Sequence, residues 1–169
     1  MFTSQTYGKL NIENIPDKLL LFYERMRTYD APIQVIVGTD SQNHSKTKIV
    51  TVIAIVCEGH GGIYFYEISH LDKLDNVRVK LFKETEYSLR VADTLLETIE
   101  SDSRFYDLYD NSTFTIHVDA GRSPEGRTAE LIPTIVGWIK SVGYECEVKP
   151  DSFVSSTIAD RISKYQKFK

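Results

Sequence analysis

Ile33-Gln34-Val35-Ile36-Val37-Gly38-Thr39-Asp40 and Phe114-Thr115-Ile116-His117-Val118-Asp119 are two apolar runs that each finish on an aspartate. A near-continuous run of this kind is the pattern of a strand buried on both faces, where a charge has few uses. A carboxylate at the end of such a strand reaches the sheet rim, the place where open α/β sheets bind ligands. Side by side, the two strands bring Asp40 and Asp119 together. Carboxylates that close repel unless a proton or a divalent cation neutralises them, so the pair points to Mg²⁺.

The elements around these runs decide the fold. Upstream, a helix begins near Pro16-Asp17, carries Leu19, Leu20, Phe22, Tyr23 and Met26 on its inner side, and stops at Asp30-Ala31-Pro32. After the strand to Asp40 comes a polar turn at Asn43-His44-Ser45-Lys46, then a β-branched strand from Lys48 to Cys57. Glu58 to Gly62 reads as a hairpin loop, and Ile63 to Ile68 as the returning strand. The period then changes: Leu81, Phe82, Leu89, Ala92, Leu95, Leu96 and Ile99 mark an amphipathic helix. A loop through Ser101–Ser112 leads to the strand ending at Asp119. Leu131, Ile135, Trp138, Ile139 and Val142 mark another helix, with Pro133 in its first turns and Gly143 stopping it. Tyr144 to Val148 is a short strand, and Pro150-Asp151-Ser152 opens a last helix.

The order is β-β-β-α-β-α-β-α. An antiparallel meander followed by right-handed βαβ crossovers places the strand of Asp119 beside that of Asp40. This α/β arrangement, a five-stranded mixed sheet flanked by helices, is the ribonuclease H-like fold. An N-terminal helical extension over residues 1–30 precedes the ribonuclease H-like domain over residues 31–169.

With 169 residues, one domain is expected, burying roughly 70% of its unfolded surface. The composition, 41% hydrophobic and 26% charged, is that of an ordinary globular protein. No stretch has the apolar length to cross a bilayer, and Met1-Phe2-Thr3-Ser4-Gln5 lacks a signal peptide's basic and apolar regions. Cys57 and Cys146 form no CxxC pair and read as reduced thiols, so a cytoplasmic location is expected. A net charge of −4 argues against sequence-blind coating of nucleic acid, though not against a local basic surface beside an acidic site.

In-line hydrolysis of a phosphodiester needs a nucleophilic water, a stabilised leaving oxygen and charge neutralisation at phosphorus. Two Mg²⁺ roughly 4 Å apart supply all three, and about three or four carboxylates suffice to hold them. Either aspartate alone is explained by turn stabilisation; together, in this element order, they favour a metal. The third carboxylate should come from the start of the helix after the meander. Glu84 and Glu86 both qualify, each roughly 90–110° from the apolar centre at 100° per residue. Glu84 shares a ridge with Ser88, Val91 and Leu95 and is preferred; Glu86 lies on the side of polar Asp93. A first-turn glutamate that merely suits the helix dipole is the plain alternative. The fourth candidate is Asp160, in a row of small residues with Ser156, Ala159 and Ser163. A surface aspartate explains it as well, and Asp151 is a second option that capping accounts for.

Beyond the carboxylates, Ser41 and Gln42 follow Asp40 and either contact the substrate backbone or shape the turn. Arg122 and Arg127 flank a turn-rich segment that opens onto a helix N-terminus, a place suited to a phosphate. The segment lacks a P-loop pattern. His117 shares a strand face with Asp119 and either orients a ligand or is satisfied inside the sheet. His44, His60 and His70 lack a zinc spacing.

Gly38-Thr39-Asp40-Ser41-Gln42, Gly61-Gly62-Ile63-Tyr64-Phe65-Tyr66, His117-Val118-Asp119, Gly137-Trp138 and Lys149-Pro150-Asp151-Ser152 with Ala159-Asp160-Arg161 resemble the YkuK-like family of uncharacterised bacterial proteins. The resemblance runs from about Val35 to Lys164. It implies a ribonuclease H-related fold and a nuclease-type site at Asp40, Asp119 and Asp160 with a helix glutamate at Glu84. The function expected is metal-dependent cleavage of RNA, DNA or a hybrid, with Mg²⁺ or Mn²⁺ as cofactor and no membrane partner. The rival from another class is a non-catalytic module that uses the fold to bind nucleic acid or protein. An actin-like phosphotransferase half shares part of the layout but would need a nucleotide cleft that one short domain lacks.

Overall fold

The computed structural model describes residues 1–121, 128–159 and 162, with backbone alone for residues 155–157. Its strands are β1 (Phe2–Ser4), β2 (Gly8–Leu10), β3 (Ile33–Asn43), β4 (Thr47–Cys57), β5 (Gly61–Leu71), β6 (Thr113–Gly121) and β7 (Glu145–Lys149). Its α-helices are α1 (Ile15–Met26), α2 (Val77–Glu100), α3 (Tyr106–Asp110) and α4 (Ile132–Ser141). One mixed sheet runs in the order β2-β1-β5-β4-β3-β6-β7. The meander β3-β4-β5 is antiparallel, and β6 and β7 add in parallel beyond β3, as the element order predicts.

Four local expectations are corrected. The sheet has seven strands, not five, because an N-terminal hairpin, β1–β2, joins the edge of β5 through Thr3 and Tyr66. Strands of three residues are too short to leave an alternating pattern. Second, β3 and β6 run past their aspartates to Asn43 and Gly121. Third, the loop after α2 contains a 3₁₀ turn, Ser103–Phe105, and α3, which bury Phe105 and Leu108. Fourth, the C-terminal segment passes from Phe153 into a π-helical turn, Val154–Ala159, where an ordinary helix was expected.

Helix α2 begins earlier than its apolar pattern shows. Asn76 caps it, its side chain accepting from the backbone N–H of Arg78 (2.8 Å) and Val79 (3.2 Å). Val77 and Val79 stay exposed, so the first turn projects past the core towards the rim and carries Lys80 with it. Gly143, at φ +98°, turns the chain from α4 into β7.

Alternation sorts the strand residues between two cores. Val35 and Val37 face the large cluster built with α1, α2 and α4, while Ile36 faces a smaller one with Val50, Val52, Ala54, Val154, Ala159 and Ile162. Ile15, Leu19, Phe22 and Tyr23 of α1 belong to the large cluster, so the N-terminal helix packs into the same core as the sheet. Phe22 is 2% exposed, and Phe22→Ala should cost about 3–5 kcal/mol. Urea unfolding should show a single transition moved to lower denaturant. A second transition, with the main one unmoved, would make residues 1–30 a separable unit.

Candidate active site at the β3–β6 rim

The parallel ladder between β3 and β6 runs from Gln34–Thr113 to Thr39–Val118. Asp40 and Asp119 are the next residues on the two strands. Past them, β3 continues against β4 alone, and β6 enters a register shift against β7 between Val118 and Gly121. Neighbouring strands lie about 4.8 Å apart, and each aspartate follows the last rung on its strand, so both reach the same cleft where the ladder stops. Asp40 is 9% exposed and the Asp119 side chain 19%.

Glu84 approaches from α2 on the other face. Its Oε1 accepts a 2.5 Å hydrogen bond from Ser41 Oγ. One turn along α2, Ser88 Oγ and Thr39 Oγ1 are 2.8 Å apart, and Thr39 donates to Thr51 Oγ1 at 3.1 Å. This row of buried hydroxyls fixes α2 over β3, and with it the height of Glu84. Burial pushes the Glu84 carboxyl up to about 8, and the charges of Asp40 and Asp119 push the same way, against the Ser41 hydrogen bond and the Lys80 ammonium. Glu86 points to the exposed side and pairs with Lys83 Nζ at 2.7 Å. Lys80 Nζ donates to the Ser41 carbonyl at 3.3 Å. Asp40, Ser41, Lys80, Glu84 and Asp119 line one cleft of about 180 Å³.

Asp119 faces a second lysine. Lys149 Nζ lies 2.6 Å from its Oδ1. The contact is an ion pair without hydrogen-bond alignment, so that buried oxygen has no hydrogen-bond partner. Such an atom suits a cation, and the cleft offers the hard carboxylate oxygens that Mg²⁺ or Mn²⁺ requires. Among the described residues, no three His, Cys, Asp or Glu side chains form a group able to hold a metal. The donor chemistry suits such an ion, but as placed the described carboxylates are not a group that could hold one.

Ser41, considered above for substrate contact, has its hydroxyl committed to Glu84. Gln42 is half-buried next to it. Asp160, Arg122 and Arg127 lie outside the described residues. His117 is buried on the Asp119 face. Its Nδ1 accepts from the Val154 N–H at 3.3 Å, and Phe153 packs edge-on with centroids 5.0 Å apart. Burial lowers its pKa to about 4, so the ring is a neutral tie for the C-terminal segment. Sequence reasoning missed Lys80 and Lys149. The signals for Lys149 were its place just after a short strand, at the end where the aspartates also sit, and its occurrence in the Lys149-Pro150-Asp151-Ser152 motif.

The Ribonuclease H-like family model matches residues 19–164. YkuK of Bacillus subtilis (strain 168), an uncharacterised protein, is 26% identical over 176 residues, 97% of either chain. A solved structure of the Mos1 transposase catalytic domain with raltegravir and Mn is 10% identical, with a TM-score of 0.38 over 96% of this chain and 76% of that one. So distant a likeness carries no weight at the site.

The raised carboxyl of Glu84 has a consequence for pH. Its proton is bound more tightly in the folded chain than at the ordinary value of 4.5. Its contribution is therefore complete below about pH 4.5, is lost as pH rises towards 8, and stays lost above that. Glu84→Gln should remove this loss. Urea midpoints of wild type and variant should diverge between pH 5 and 8.5 in the variant's favour; parallel curves would mean Glu84 is ionised throughout.

Proposed function

Because the chain belongs to the ribonuclease H-like family, we propose that it hydrolyses phosphodiester bonds of nucleic acid, using Mg²⁺ or Mn²⁺ at the Asp40–Asp119 rim. Shared fold is not activity. The observation that supports the reading is the meeting in one cleft of Asp40 and Asp119, from neighbouring parallel strands, with Glu84 from the helix above. Evolution rarely concentrates carboxylates at a cost in mutual repulsion without a cation or a proton to hold.

Asp40, Glu84, Asp119 and Asp160 are the proposed ligands, and the first three would have to draw together to hold the ion. A bound divalent ion supplies positive charge against the negative charge that develops on the phosphate, and orients the attacking water. Hydrolysis joins the water oxygen to phosphorus, breaks the bond to the leaving sugar oxygen, and delivers a proton to that oxygen. Ser41 keeps Glu84 aimed into the cleft. Lys80 draws the phosphate towards it, and Gln42, Arg122 and Arg127 are the further candidates for gripping the backbone. No α-helix among the described residues is long and apolar enough to cross a membrane.

One observation favours the rival, a binding module without catalysis: Lys149 already neutralises Asp119. The two readings separate on labelled RNA, DNA and RNA–DNA hybrid with Mg²⁺ or Mn²⁺. The nuclease reading expects cutting of at least one substrate, reduced at least about 100-fold by Asp40→Asn, as for loss of a preorganised electrostatic group. Binding by both proteins with no cutting by either would establish the module.

A further inference from the structure

We propose that the cavity beside His117, on the sheet face away from α1, α2 and α4, binds a nucleobase, whose edge accepts a hydrogen bond from His117 and donates one to Glu147. Among the described residues, the pocket shares no lining side chain with the Asp40–Asp119 cleft. The inference therefore goes beyond the nuclease reading and does not depend on it.

The fold leaves this pocket open. Side chains of α1, α2 and α4 cover one face of the sheet. On the other face, Val154, Ala159 and Ile162 cover Ile36, Val50, Val52 and Ala54. Gln34 and Val56, paired across β3 and β4, stand at the margin of that cover and edge a cavity of about 480 Å³. Sites for small molecules span about 300–1,000 Å³.

The floor holds two buried polar side chains with unmet hydrogen bonds. Thr115 is 6% exposed and His117 2%, and both line the cavity. The His117 Nδ1 accepts from the Val154 N–H, so the ring proton is on Nε2. Among the described residues, neither that N–H nor the Thr115 hydroxyl has a hydrogen-bond partner. Buried polar groups are rarely left in that state, and a ligand that carries an acceptor completes them.

The neighbours of His117 select the ligand. Glu147 pairs with His117 in the β6–β7 ladder, and paired strands lie about 4.8 Å apart. A buried donor thus stands beside a carboxylate acceptor. The edge of a nucleobase presents the reverse, acceptor atoms beside N–H donors. Pro32, Val56 and Phe153 supply apolar walls, and Phe153, 39% exposed, offers its ring for stacking. Other ligands fit less well. Glu58 and Asp151 also line the cavity, yet among the described residues no three such side chains form a group able to hold a metal. An organic cation would meet a donor, not an acceptor, at His117. A phosphate would face three carboxylates with no lysine or arginine among the described lining residues. The base enters and its phosphate stays outside.

Calorimetric titration of the full chain with adenosine, guanosine, cytidine and uridine tests this. At least one nucleoside should bind, its 5′-monophosphate should bind several-fold more weakly, and the His117 imidazole resonances should shift as the pocket fills. Glu147→Ala should weaken that binding about 10-fold or more, as for loss of a hydrogen bond to a charged group. Thr115→Val should also weaken it, and both variants should melt near the wild-type temperature. Failure of all four nucleosides to bind at millimolar concentration overturns the inference. So does binding unaltered by Glu147→Ala, or tighter binding of spermidine than of any nucleoside, which would make the pocket a cation site. Each outcome is read without cleavage, so none of them touches the nuclease reading.

Discussion

The parallel ladder between β3 and β6 is the constraint on which the rest depends. It is the one join between the antiparallel meander and the βαβ half of the sheet, and its register makes neighbours of two residues 79 positions apart, as in Thr39 and Val118. A slip of one residue would turn every side chain of β6 to the opposite face. His117 would then leave the C-terminal segment and Asp119 would leave Asp40. Burial prevents the slip: Ile116 and Val118 belong to the large core, and reversing them would put His117 there instead.

On that frame, the site balances charge by several means at once. Glu84 holds a proton well above the ordinary carboxylate range, and Lys149 screens Asp119. Lys80 lies near enough to Glu84 to offset part of the repulsion from the aspartates. These are linked: any cation that enters must expel a proton, displace an ammonium, or both.

The central strands, the meander, the long helix and the crossovers were legible in the sequence because each buries enough side chains to impose a period. The same reasoning chose Glu84 over Glu86 from the small-residue ridge, and in the structure Ser88 of that ridge packs on Thr39. What escaped lacked such a record. The hairpin β1–β2 has three-residue strands, the first turn of α2 places nothing in the core, and the commitment of Ser41 to Glu84 is a contact between elements. Lys149 was hidden for another reason: only the offset of two residues in the β6–β7 pairing, which no local pattern encodes, carries it to Asp119.

That offset lies on an edge strand of the sheet. β7 has five residues and, among the described residues, pairs on one side only, so its outer row of amides and carbonyls has no ladder there. Such margins open by local fluctuation at a small fraction of the global unfolding free energy. Amide hydrogens of β7 therefore exchange long before those of β3, and with each opening Lys149 retreats from Asp119. The electrostatic environment of the cleft is thus set by the fraying of an edge strand as well as by the rigid centre of the fold.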